Sequence, residues 1–151
     1  NNNIHSSPLY FRPFYFTISH FLIFVRRITP SKEKTLKKKL YFSIIHYIKI
    51  AKAKLDNSKV IKIGITGSYG KTSVKEILKT ILSQKYRVLA TPASYNTPLG
   101  IALTARPLDG TPDVFIAEMG ARQKGDIKEL CDLVHPKYGI ITQKTSKEIS
   151  L

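Results

Sequence analysis

Hydrophobic positions change their rhythm twice along this chain. Between Pro13 and Arg26 they run almost without interruption as FYFTISHFLIFV. Further on, Leu36, Leu40, Ile44, Ile48, Ala51 and Leu55 recur at spacings of four and three, which predicts an amphipathic helix over Leu36–Leu55 with lysines on its other side. Tyr41, Phe42, Ile45 and Tyr47 widen its apolar face. Asp56, Asn57 and Ser58 read as a break, so the expected organisation is a basic, partly apolar helical leader over residues 1–58 and a folded domain over 59–151.

From Lys59 short β-rich runs alternate with helical periodicity. VIKIGIT, YRVLAT, PDVFIAEMG and YGIIT are strand candidates; Ser73–Ser83, Leu99–Ala105 and Lys124–Val134 are helix candidates. That alternation predicts an α/β fold, a parallel sheet with helices on both faces, whose ligands bind at the carboxyl ends of the strands.

Charge adds a second layer. The formal net charge is +15, and basic residues crowd the stretch from Arg26 to Lys62, where only Glu33 and Asp56 oppose them. The twelve residues between Pro13 and Arg26 would rise about 18 Å as a helix, short of the roughly 30 Å of a bilayer core. The charges follow the apolar run and no small-residue cleavage site appears, which makes a signal peptide a poor reading and suits the cytoplasmic flank of a membrane segment. Two readings stand: association of the leader with the anionic inner face of the cell membrane, or an aromatic-rich core helix of another domain. Nucleic acid is not the expected partner, because the leader carries no recognisable recognition helix. The single cysteine, Cys131, excludes an internal disulfide, favours a cytoplasmic setting and is expected to be a small helical packing residue. The chain begins with Asn and stops in polar text, and it is read as a fragment.

The chemistry concentrates in GITGSYGKTS, which follows a strand and opens a helix. Gly67 and Gly70 let the backbone turn tightly and approach phosphates, Lys71 is placed to reach the β- and γ-phosphates, and the Thr72 hydroxyl is placed to meet magnesium. The common form of such a loop has glycine where this chain has Ile65, with Gly64 and Gly67 on either side. A dinucleotide fingerprint is the weaker alternative, since Lys71 and Thr72 have no role in one. Glu118 closes the run VFIAE, where a carboxylate can hold magnesium or polarise an attacking group. Asn96, in TPASYNTPLG, is positioned either to contact phosphate or a metal-bound water or merely to shape a loop. Asp126 is expected to cap the last helix and His135 to end it; His5, His20 and His46 show no metal-ligand arrangement.

With these motifs in order, the stretch Val60–Thr142 resembles the central domain of the Mur ligase family, ATP-dependent enzymes that extend a UDP-linked muramoyl peptide. GITGSYGKTSVKE matches that family's phosphate loop, SYNTPLG its asparagine loop, and IAEMGARQKGDI with HPKYGIIT is most similar to the branch that adds D-alanyl-D-alanine. The resemblance implies that Gly67, Ser68, Tyr69, Gly70, Lys71, Thr72, Ser73 and Asn96 bind ATP, that Thr72 and Glu118 hold Mg2+, and that Lys71 and Glu118 serve the chemistry. It further implies a UDP-N-acetylmuramoyl peptide and D-alanyl-D-alanine as partners, joined through an acyl-phosphate. Folylpolyglutamate synthase relatives share the ATP loop and are the nearest rival; a basic membrane- or nucleic-acid-binding module is the rival of another class. No histidine follows His135, so the family's second metal position has no counterpart, and Lys144 and Lys147 are given no role.

Overall fold

The structure, a computed structural model, describes residues 30–143. The apolar run Pro13–Arg26, His5, His20, Lys144 and Lys147 lie outside the described residues. Contacts divide the chain into two compact units, Asn1–Ser43 and Ile44–Leu151. The described part of the first unit is the opening half of helix α1 (Pro30–Asn57). No helix among the described residues is long and apolar enough to cross a membrane.

The second unit follows the predicted alternation. After the end of α1 come β1 (Ile61–Thr66), α2 (Lys71–Leu82), β2 (Val88–Ala90), α3 (Pro98–Ala105), β3 (Val114–Glu118), α4 (Asp126–Val134) and β4 (Tyr138–Ile141). All pairings are parallel, in the order β2-β3-β1-β4. Parallel neighbours require crossovers, and the helices supply them.

Side-chain alternation along β3 separates two cores. Val114 and Ile116 point to one face, where Ile63 and Ile65 of β1 meet Val74, Leu78 and Leu82 of α2. Phe115 and Ala117 point to the other, where Ile101, Ala102 and Ala105 of α3 and Leu130, Leu133 and Val134 of α4 close over them. Every residue of β3 is buried, as a strand covered on both faces must be. Gly64 is part of this packing: a Cβ there would lie 3.0 Å from the Met119 terminal methyl. Its glycine therefore serves strand-to-loop packing rather than the phosphate turn.

One expectation is corrected at the leader. Asp56 and Asn57 do not break α1; they are its last turn. The helix ends where Ser58 Oγ and Lys62 Nζ both donate to the Leu55 carbonyl, at 2.9 Å each, and compensate the unsatisfied end. Ala51 and Leu55 of α1 are buried in the core beside Val60 and Phe115, within the unit that begins at Ile44. His135 does end α4, in a left-handed conformation, and its Nδ1 lies 2.8 Å from Asp56 Oδ1. That contact, first among several, holds the Asp56 carboxyl below the usual range. Asp126 is not the cap of α4: Gly125 occupies that position, and the Asp126 carboxylate instead accepts the Arg122 and Gln123 amides at 2.8 and 3.0 Å. Cys131 is half-buried against the second core, and desolvation pushes its thiol up.

At the amino-terminal edge of the sheet, Arg87 forms a two-pronged pair with Asp113 at 3.1 and 2.9 Å, tying the approach to β2 to that of β3. Hydrogen bonds from Arg87 hold the Asp113 carboxyl down at about 2.

If the closing half of α1 belongs to the folded domain, Leu55→Ala should lower its unfolding free energy by about 2–5 kcal/mol. Denaturant unfolding measures this, and a loss below about 0.5 kcal/mol would return the helix to the leader.

Candidate active site

The carboxyl ends of β1, β2, β3 and β4 deliver four segments to one edge of the sheet. β1 runs into the loop from Gly67 to Gly70. Gly67 has φ 136° and Gly70 φ 79°, both in the region glycine favours. A Cβ on Gly67 would also collide with the Thr142 hydroxyl. Gly70 is the N-cap of α2 and no side chain caps that helix, so its positive end faces the loop.

β4 braces this loop through residues that the sequence did not single out. The Ser68 amide donates to the Gln143 carbonyl at 2.6 Å, the Thr142 amide donates to the Thr66 carbonyl at 2.9 Å, and the Thr142 hydroxyl donates to the Tyr69 carbonyl. Within the loop, Lys71 Nζ donates to the carbonyls of Gly67 and Ser68 at 2.6 and 3.4 Å, spanning the concavity. Tyr69 and Ser73 are exposed.

Glu118 ends β3 in the middle of the edge and is 1% exposed. Its backbone amide donates to Thr91 Oγ1 at 3.0 Å, and Thr91 is itself buried. The Thr72 hydroxyl donates to Glu118 Oε2 at 2.9 Å, so the two predicted metal-holding side chains meet. Asn96 Nδ2 stands 3.5 Å from Glu118 Oε1, a long contact. Asn96 is seated by Gly120, where a Cβ would come within 2.7–2.9 Å of the Asn96 amide group, and the Gly120 amide donates to the Asn96 carbonyl at 2.9 Å. The loop then enters α3 through Thr97, whose hydroxyl accepts the Gly100 amide at 3.2 Å, with Pro98 opening the helix.

One charged side chain escaped the sequence reading. Lys75, one turn beyond Thr72, is fully buried; its Nζ lies 3.4 Å from Glu118 Oε2 and donates to the Ala93 carbonyl. The signal was available, since Lys75 occupies the sheet-facing side of α2 beside Val74, Leu78 and Leu82.

The donor set suits a hard divalent cation. Thr72 and Glu118 offer adjacent oxygens, and among the described residues no group of three His, Cys, Asp or Glu side chains could hold a metal alone. Magnesium is commonly bound by one or two carboxylates together with substrate phosphates and water.

A parallel sheet that feeds a glycine turn into an uncapped helix, with a lysine and a threonine at its start and a buried carboxylate opposite, is a phosphate-loop α/β domain. The Mur ligase middle domain matches residues 65–147, and the chain belongs to the Mur ligase family. The UDP-N-acetylmuramoyl-tripeptide--D-alanyl-D-alanine ligase of Treponema pallidum (strain Nichols) is 40% identical over 83 residues, 55% of this chain and 18% of the relative. That of Bacillus subtilis (strain 168) is 36% identical over 93 residues, 62% and 20% respectively. Among solved structures, the MurF ligase of Thermotoga maritima in complex with ADP superposes with a TM-score of 0.61 at 35% identity, covering 67% of this chain and 24% of that one. MurF from Acinetobacter baumannii gives 0.62 at 27% identity, covering 65% and 22%. The chain thus spans about a fifth of the length of the curated relatives it matches.

Gly120→Ala should displace the Asn96 amide and destabilise the domain by about 1–3 kcal/mol, the usual range for an overpacked contact. Side-chain amide resonances of Asn96 report the displacement; unchanged resonances would show that Gly120 does not seat it.

Proposed function

We propose that this chain supplies the ATP-binding part of a ligase that adds D-alanyl-D-alanine to a UDP-N-acetylmuramoyl peptide. The observation that carries the proposal is the meeting of Thr72 and Glu118 at 2.9 Å beside the Lys71 loop, at the carboxyl edge of the sheet. The named activity of the curated relatives and the ADP held by the Thermotoga maritima structure support it.

In this proposal ATP is a substrate. The loop amides between Gly67 and Ser73, apart from that of Ser68, which donates to Gln143, cradle its phosphates with the start of α2, and Lys71 moves its ammonium from the loop carbonyls onto the β- and γ-phosphate oxygens. Thr72 and Glu118 hold magnesium, which supplies charge neutralisation on those oxygens. Asn96 lines the γ-phosphate side. A carboxylate of the muramoyl peptide attacks the γ-phosphorus, the bond to the β-phosphate oxygen breaks, and ADP leaves. The D-alanyl-D-alanine amine then attacks the acyl carbon of the acyl-phosphate, expelling phosphate and forming the amide. The contribution of this chain is alignment and electrostatic stabilisation of the phosphoryl transfer. The folylpolyglutamate alternative is not favoured, given the activity that these relatives carry.

The reaction belongs in the cytoplasm, where ATP is. Its product feeds lipid-linked chemistry, and the leader suits the anionic inner face of the membrane. Five lysines lie between Lys32 and Lys39 against one glutamate, and Tyr41 and Phe42 are exposed, packed edge to face with Lys38 over the Phe42 ring.

Calorimetric titration with ATP tests the site. Binding should be strengthened by magnesium and weakened about ten- to a hundred-fold by Lys71→Ala, the loss of charge-assisted bonds to phosphate. Equal affinities of wild type and variant would refute the assignment. For the leader, the chain should sediment with phosphatidylserine vesicles at low salt and be released at about 0.5 M salt, while neutral vesicles leave it in solution. Failure to bind the anionic vesicles would reject the membrane contact.

A further inference from the structure

Among the described residues the buried charged side chains are Lys75 and Glu118, and they face each other at 3.4 Å. Isolated charges in a protein interior are costly, and such a pair persists only where each compensates the other and the remaining donors and acceptors are satisfied. Lys75 meets that condition through the Ala93 carbonyl and through Glu76 Oε1 at 3.3 Å, although Glu76 is half-exposed and its charge is screened by solvent. Ala93 has φ 45°, an uncommon conformation for alanine, in the turn that leads to Asn96. Lys75 therefore grips the Glu118 carboxylate and the Asn96 loop together.

The charge count at this edge then has a consequence for metal binding. Lys75 sets a buried positive charge 3.4 Å from the Glu118 carboxylate, with solvent-exposed Glu76 its other acidic neighbour, and Lys71 adds a second positive charge at the adjoining loop. A divalent cation approaching Thr72 and Glu118 meets a carboxylate that already faces a fully buried lysine. Arrival of a polyphosphate reverses the sign of the local charge and adds the missing oxygen ligands.

We propose that Lys75 is a positioning residue that makes metal binding at Thr72 and Glu118 conditional on bound nucleotide. The proposal rests on the nucleotide-binding reading above and assigns to a residue outside the phosphate loop the order in which the two ligands enter. Lys75 lowers the affinity of the site for free magnesium and fixes the Glu118 carboxylate where the cation of a metal–nucleotide complex will sit.

Lys75→Gln, which keeps a donor toward Ala93 and removes the charge, tests this in the full chain. With Mg2+ alone in the calorimeter, wild type should show no binding at millimolar metal, whereas Lys75→Gln should gain a site at least about ten-fold tighter, a change that loss of packing alone would not produce. A folded Lys75→Gln with unchanged affinity for free metal overturns the proposal. Should that variant not fold, titration of wild type and Glu118→Gln with Mn2+, read by electron paramagnetic resonance, decides the matter. Wild-type binding that needs ATP and is lost in Glu118→Gln supports the proposal. Nucleotide-free binding in wild type that Glu118→Gln removes overturns it. A wild type that fails to bind ATP at all refutes the nucleotide-binding reading, whereas the metal-alone comparison of wild type with Lys75→Gln still decides the role of Lys75.

Discussion

A carboxylate at the end of a strand covered on both faces has to be compensated from within the protein. Glu118 is in that position: Thr72 and Lys75 of α2 and Asn96 before α3 meet its carboxylate, while Thr91 after β2 accepts its backbone amide. Each connection is a hydrogen bond or ion pair across the carboxyl edge of the sheet, so satisfying one buried charge brings the phosphate turn, the asparagine loop and the end of β3 together. The cost of leaving any of these polar groups unpaired away from water makes the arrangement specific.

Glycine supplies the close approaches this edge requires. Gly67 turns the chain where the Thr142 hydroxyl leaves no room for a side chain, and Gly120 admits the Asn96 amide against the backbone. Gly64 does a different task one strand earlier, letting Met119 pack beneath β1. β4 completes the platform because its continuation, Thr142 and Gln143, bonds to the loop from the far side. The phosphate turn is thus held by α2 on one side and by the β4 end on the other.

Much of this fold was readable as periodicity. The four strands and three helices after Lys59 fall where the pattern put them, with no end shifted by more than two residues, because alternating burial on two sheet faces imposes alternation on the sequence. The leader was harder. The spacing found α1, but it could not tell whether the apolar stripe meets this domain, another domain or lipid; burial of Ala51 and Leu55 beside Phe115 decided that for the closing half. Asp56 and Asn57 looked like a break because both residues favour turns, yet they form the last turn of the helix, where His135 holds Asp56 and Ser58 and Lys62 donate to the Leu55 carbonyl.

By itself the sequence determined the α/β alternation, the glycine turn with Lys71 and Thr72, and the strand-end position of Glu118, since each is a local pattern written in consecutive residues. Only the tertiary structure decided that Thr72, Lys75 and Asn96 converge on that carboxylate, that Thr91 accepts the Glu118 backbone amide, and that Thr142 and Gln143 brace the turn. Those contacts join residues up to 76 positions apart. Which distant groups meet is set by the order and register of parallel strands, and no spacing along one strand of text encodes that order.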